Sequence, residues 1–125
     1  MRTVASAIGT ETFGTIAKMG AIDVAFLDRV TFRDRVLARE VLVLFGRQSD
    51  GLLSIISTTE KQHVRNESAH KLKGAARGVG AFDVARAAEE VETAQDATAL
   101  ANAIAHLTAR VTEARLALAS LVENS

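Results

Sequence analysis

Reactive groups gather at helical spacing around His70. Glu67 precedes it by three residues, and Lys71, Lys73, Gly74, Arg77 and Gly78 follow within two turns. At about 100° per residue, Ala69, Leu72, Ala76 and Val79 fall on one side of a helix. His63, Glu67, His70, Lys73, Gly74 and Arg77 fall on the other. The first set is an apolar stripe fit for a core, so His70 is expected to face solvent or a partner. A neutral imidazole is a nucleophile near neutral pH, and Lys73 and Arg77 supply cations for an anionic group. Glycine inside a helix costs about 0.8–1 kcal/mol relative to alanine. Core packing does not explain Gly74 on an outward face. Clearance does: another molecule can approach His70 closely there. These features suit phosphoryl transfer onto an imidazole nitrogen. The stretch contains no GxxxxGK[ST] loop to hold a nucleotide, so the phosphoryl group is expected from another molecule.

Competing uses of the same residues are weaker. Glu67-x-x-His70 matches half of a di-iron helical motif, with His63 one turn earlier. Glu60-x-x-His63 repeats the spacing, but it lies in the same segment of chain, whereas that motif takes its two Glu-x-x-His elements from two different helices. Cations on the same face also disfavour a divalent ion, so no metal is expected. His63 and His106 read as structural or solvent-facing. Arg29, Arg33, Arg35 and Arg39 read as a solvated face paired with Asp28, Asp34 and Glu40.

The elements that must position His70 are helical. Alanine and leucine carry the apolar content, and the chain has no proline. Asp23 predicts a cap for a short helix burying Val24, Phe26, Leu27 and Val30. Thr31 and Asp34 resemble a capping box for a long helix whose apolar face is Leu37, Val41, Leu44, Gln48, Leu52 and Ile55. That face resumes in phase after Ser49-Asp50-Gly51, which predicts one continuous helix. Thr59 and Gln62 form a second capping-box pattern, for a helix carrying His70 and ending at Val79 before Gly80. Phe82, Ala85, Ala88 and Val91 mark a fourth helix. Asp96 caps a fifth, with the seam Leu100, Ile104, Leu107, Val111, Ala114, Leu118 and Leu121. Short connections imply antiparallel neighbours. The fold class expected is therefore all-α: an up-down antiparallel four-helix bundle with an additional short N-terminal helix. The bundle is expected over residues 21–125, and 1–20 read as a flexible or loosely docked arm.

Composition narrows the functional classes. Formal net charge is zero, with 15 basic and 15 acidic residues, which offers no general attraction to nucleic acid or an anionic membrane. Without cysteine there is no disulfide, thiol catalysis or Cys-bound zinc. No apolar run approaches the roughly 18 residues of a membrane span, and the first twenty residues lack a signal-peptide pattern. A cytoplasmic monomer is the default expectation.

The stretch His70-x-Leu72-Lys73-Gly74-x-Ala76-x-x-Val79-Gly80-Ala81 resembles the HxLKGxAxxxGA signature of histidine-phosphotransfer (HPt) domains. The resemblance extends through Ile22-Asp23, Phe45, Ala69 and Glu90-Val91-Glu92, and covers roughly residues 22–122. It implies that His70 takes a phosphoryl group from the phospho-aspartate of a receiver domain and passes it to another. It implies that Lys73 stabilises that group and Gly74 admits the receiver, with Glu67, Lys71, Arg77 and Gly78 bordering the partner. Response-regulator receivers and a hybrid histidine kinase are the implied partners. No cofactor is implied for this chain, since the Mg²⁺ for transfer would sit on the receiver, and neither is a kinase or ATP site. Residues 1–20 have no family counterpart, and two further departures stand out. Lys71 occupies a position that is often Thr or Ser, and Ala87 or Ala88 replaces a residue that is often small or Cys. A non-catalytic docking module of the same family is the alternative.

Overall fold

In the computed structural model, residues 21–123 are described. They form five helices: α1 (Val24–Val30), α2 (Arg35–Thr58), α3 (Gln62–Val79), α4 (Phe82–Thr93) and α5 (Ala97–Glu123). The expected arm at 1–20 lies outside the described residues. Helices α2 to α5 each pack on their chain neighbour, and α5 packs back on α2. This closes an antiparallel four-helix bundle, with α1 as the short additional helix.

Caps explain most helix ends. Asp23 accepts a hydrogen bond from Phe26 N at 3.0 Å and starts α1, and Asp96 accepts from Ala99 N at 2.8 Å and starts α5. Two expected capping boxes are not formed. Thr31 ends α1 instead of starting α2: its buried hydroxyl donates to Leu27 O at 2.7 Å. Asp34 itself caps α2, accepting from Leu37 N at 3.0 Å. Thr59 likewise closes α2, and its hydroxyl accepts from Lys61 N at 3.1 Å. It is therefore not the cap of α3, which begins after Lys61 without a side-chain cap.

Helix α1 buries Leu27 alone. Val24 and Val30, expected inside, are exposed, because so short a helix offers only a narrow face to the bundle. Phe26 is half-buried and meets Phe82 edge-on, with ring centroids 5.2 Å apart. The anchor of α1 is Asp23 N, which donates to Gly80 O at 2.9 Å. Gly80 ends α3 in the left-handed region at φ 85°. A Cβ there would lie 2.9 Å from Asp23 O, so only glycine allows both the turn and the docking of α1.

Helix α2 runs unbroken through Ser49-Asp50-Gly51, as expected. The buried Ser49 hydroxyl donates to Gly46 O at 3.0 Å. Its core face is shifted by one residue along the chain from the expected one. Leu42, Phe45, Gly46, Ser49 and Ile56 are buried, whereas Leu37, Leu44 and Ile55 are exposed. Around these the core is built from Leu72, Val84, Val91, Leu107 and Val111, with Ala69, Ala76, Ala85, Ala87 and Ala88 between them. Small residues at the contacts let the helices approach closely. The seam of α5 faces this core, with Leu107, Val111, Ala114 and Leu118 buried and Leu100, Ile104 and Leu121 partly so.

Candidate functional site on α3

The apolar stripe of α3 falls where its spacing predicts: Ala69, Leu72, Ala76 and Val79 are buried. His70 is consequently turned outward, with 71% of its side chain exposed. Gly74 and Gly78 follow it along the same face at one-turn intervals, and a Cβ on either would have no neighbour within 4 Å. A track without side chains therefore leads away from the imidazole. Glu67, Lys71 and Arg77 are exposed around it.

Lys73 is not on the open face. Its side chain is only 15% exposed, because it leans over the α3–α4 seam to Glu92. Lys73 Nζ stands 2.8 Å from Glu92 Oε1, an ion pair whose angle falls short of a hydrogen bond. Glu92 Oε2 stands 3.2 Å from His70 Nδ1. One carboxylate thus engages both the imidazole and the lysine. An ionised carboxylate only accepts, so this contact favours the tautomer protonated at Nδ1. Nε2 then keeps its lone pair, and it has no partner among the described residues.

Glu92 was missed as a site residue by reading α3 alone. A register signal was available: Lys73 and Arg77 lie one turn apart on α3, and Glu89 and Glu92 one turn apart on α4. The turn at Gly80-Ala81 brings these rows together antiparallel, and Arg77 reaches Glu89 at 3.6 Å.

On the other side of α3 a groove of about 730 Å³ runs between α2 and α3. Leu52, Ile55 and Ala75 give it an apolar floor, Arg47 and Lys71 stand along it, and Gly51 and Gly74 open it. Both glycines lack any neighbour within 4 Å of a Cβ. Exposed Leu44, from the displaced face of α2, adds apolar surface to this side.

The remaining candidates fall elsewhere. His63 is exposed. His106 bonds Glu90 at 2.8 Å across α4 and α5, away from His70. Arg29, Arg33, Arg35 and Arg39 are exposed, but no ion pair with Asp28, Asp34 or Glu40 forms among the described residues. Asp34 uses its carboxylate as a helix cap, and Arg29 sits over the Phe26 ring. Among the described residues no group of three or more His, Cys, Asp or Glu is placed to hold a metal ion. No helix there is long and apolar enough to cross a membrane.

The family model of the Hpt domain matches residues 43–122, a span from the middle of α2 to the end of α5. Neither a curated protein nor a solved structure is similar enough to match.

Proposed function

The chain belongs to the Hpt domain family, the histidine-phosphotransfer modules of phosphorelays, and from that premise we propose that His70 Nε2 is the phosphoryl carrier. The observation that carries the proposal is the contact between Glu92 and His70 Nδ1, which favours Nε2 as the free nucleophile beside the opening at Gly74.

The donor is the phospho-aspartate of a receiver domain docked over α2 and α3. The Nε2 lone pair forms the P–N bond as the P–O bond to the aspartyl carboxylate breaks, and the electron pair leaves with that carboxylate. The Nδ1 proton stays in place, and the ring's new positive charge faces Glu92. Lys73 stands one turn from His70 and can shift from Glu92 toward the incoming phosphoryl oxygens, where its charge is most useful. Return of the group to a second receiver is the reverse of these steps. Gly74 gives the receiver access, and Glu67, Lys71, Arg77 and Gly78 border it. The chain uses no cofactor of its own, and the Mg²⁺ of the reaction belongs to the receiver. The phosphoryl group originates from a hybrid histidine kinase.

The test is transfer of radiolabelled phosphate from phospho-receivers to the protein. The label should be acid-labile and base-stable, and His70→Gln should abolish it with helicity unchanged. Label retained in that variant, or found on His63, would remove His70 from the role. A protein that binds receivers tightly and never takes label would instead be a non-catalytic docking module.

A further inference from the structure

Resting on the reading that receivers dock over α2 and α3, we infer that Arg47 and Lys71 act as a charge filter on the groove. They favour receivers that carry carboxylates beside the apolar ridge that enters it. Arg47 comes from α2 and Lys71 from α3, so the two cations belong to different walls of the groove, and no carboxylate lines it. The chain as a whole is formally neutral, so this concentration of positive charge is local.

Both cations are exposed, and among the described residues neither has an ion-pair partner. Lys73, Arg77, Arg86, Arg110 and Arg115 are paired within the fold. Arg29, Arg33, Arg35 and Arg39 are also without an ion pair among the described residues, but of the unpaired cations only Arg47 and Lys71 line the groove. Partners were close at hand in the sequence. Asp50 stands three residues from Arg47 but turns to Arg115 on α5. Glu67 stands one turn before Lys71, the spacing at which helical pairs form, yet no ion pair joins them. Two unpaired cations around an apolar floor suit a partner whose apolar ridge has acidic flanks. The same arrangement repels a ridge flanked by lysine. Such charges act mainly on encounter rate and on rejection of wrong partners, and salt screens them.

The experiment measures association and phosphotransfer rates for a panel of receiver domains differing in surface charge around the phospho-accepting aspartate. Arg47→Glu/Lys71→Glu is compared with the wild type and with the neutral Arg47→Gln/Lys71→Gln. For the receiver that the wild type binds fastest, the charge-reversed variant should associate about ten-fold more slowly at low salt. The difference should shrink to about two-fold at 0.5 M salt, where the Debye length is only a few ångströms. The neutral variant should fall between, and a receiver with its facing carboxylates replaced by lysine should recover the loss. If the charge-reversed protein keeps the wild-type rate and salt slope while transfer proceeds, docking stands and the filter does not exist. If the wild type neither binds nor exchanges phosphate with any receiver of the panel, the docking reading itself fails.

Discussion

Helices α2 and α3 pack side by side, yet spacing places the core of one correctly and the core of the other wrongly. In α3 the stripe Ala69, Leu72, Ala76 and Val79 is bounded by charged residues and glycines, so only one face can be buried. Helix α2 is apolar on two adjacent faces. Leu44 neighbours Phe45 and Ile55 neighbours Ile56, so two registers one residue apart fit the same pattern. The fold takes the register that buries Phe45 and Ile56. It also brings Gly46 to α5, where a Cβ would lie 3.5 Å from Leu118. The register left outside presents Leu44 and Ile55 beside the site. A second apolar stripe that the core does not need is what a docking face requires. On the proposed docking of a receiver, the ambiguity of α2 reflects a helix that serves the core with one stripe and the partner with the other.

Paired substitutions would break this comparison most directly. Phe45→Ala should destabilise the bundle by about 3–5 kcal/mol, and Ile56→Ala by about 2–5 kcal/mol, as for fully buried side chains. Leu44→Ala and Ile55→Ala should change stability by no more than about 0.5 kcal/mol while weakening association with a receiver. Urea denaturation and binding titration separate the two. Equal destabilisation by Leu44→Ala and Phe45→Ala would mean that α2 buries both faces, and the groove would lose its apolar wall.

A smaller effect is expected at the seam between α3 and α4. Glu92→Gln keeps the shape of the side chain, but an amide can donate or accept at Nδ1, so the imidazole is no longer held in one tautomer. Phosphotransfer should slow about ten-fold, equivalent to about 1.4 kcal/mol, near the upper end of what a typical hydrogen bond contributes. Association with the receiver should be unchanged. Nitrogen NMR shifts of His70 should move from one tautomer toward a mixture. An unchanged tautomer and rate would show that Glu92 serves only to hold Lys73.

These residues also show how far the sequence carries. The all-α bundle, the outward His70 and the stop at Gly80 are local consequences of period and backbone chemistry, and all are legible in the chain. Glu92 is not, because its role depends on the register between two helices. Thr31 and Thr59 mislead for a related reason: a threonine near a helix start also serves the end of the preceding helix when the connection is short. Val24 and Val30 look like core residues, but a seven-residue helix has room to bury only one large side chain. Lys73 shares the outward arc with His70, yet its length lets it cross to α4, which spacing alone does not register.

The smallest expected effect concerns the glycine track, and it tests the outward face of α3 without touching the reacting groups. A Cβ at Gly74 meets nothing within 4 Å, and Gly74 has ordinary helical backbone. Alanine there should therefore raise stability by up to about 1 kcal/mol, through helix propensity and reduced freedom of the unfolded chain. Gly78→Ala should do the same, since its surroundings are equally open. If access to His70 is the reason for the track, stability and function must move in opposite directions. Gly74→Gln, whose longer side chain reaches toward the imidazole one turn away, should leave the fold intact and weaken receiver association more than Gly74→Ala does. Lys73→Ala provides the contrast, slowing transfer while leaving association nearly intact, because it removes charge without adding bulk. Stability from urea denaturation, plotted against receiver affinity for the three glycine variants, decides the matter. A Gly74→Ala protein that loses stability would place a packing partner against this face. A Gly74→Gln protein with parental affinity and transfer would show that receivers reach His70 from the α4 side instead.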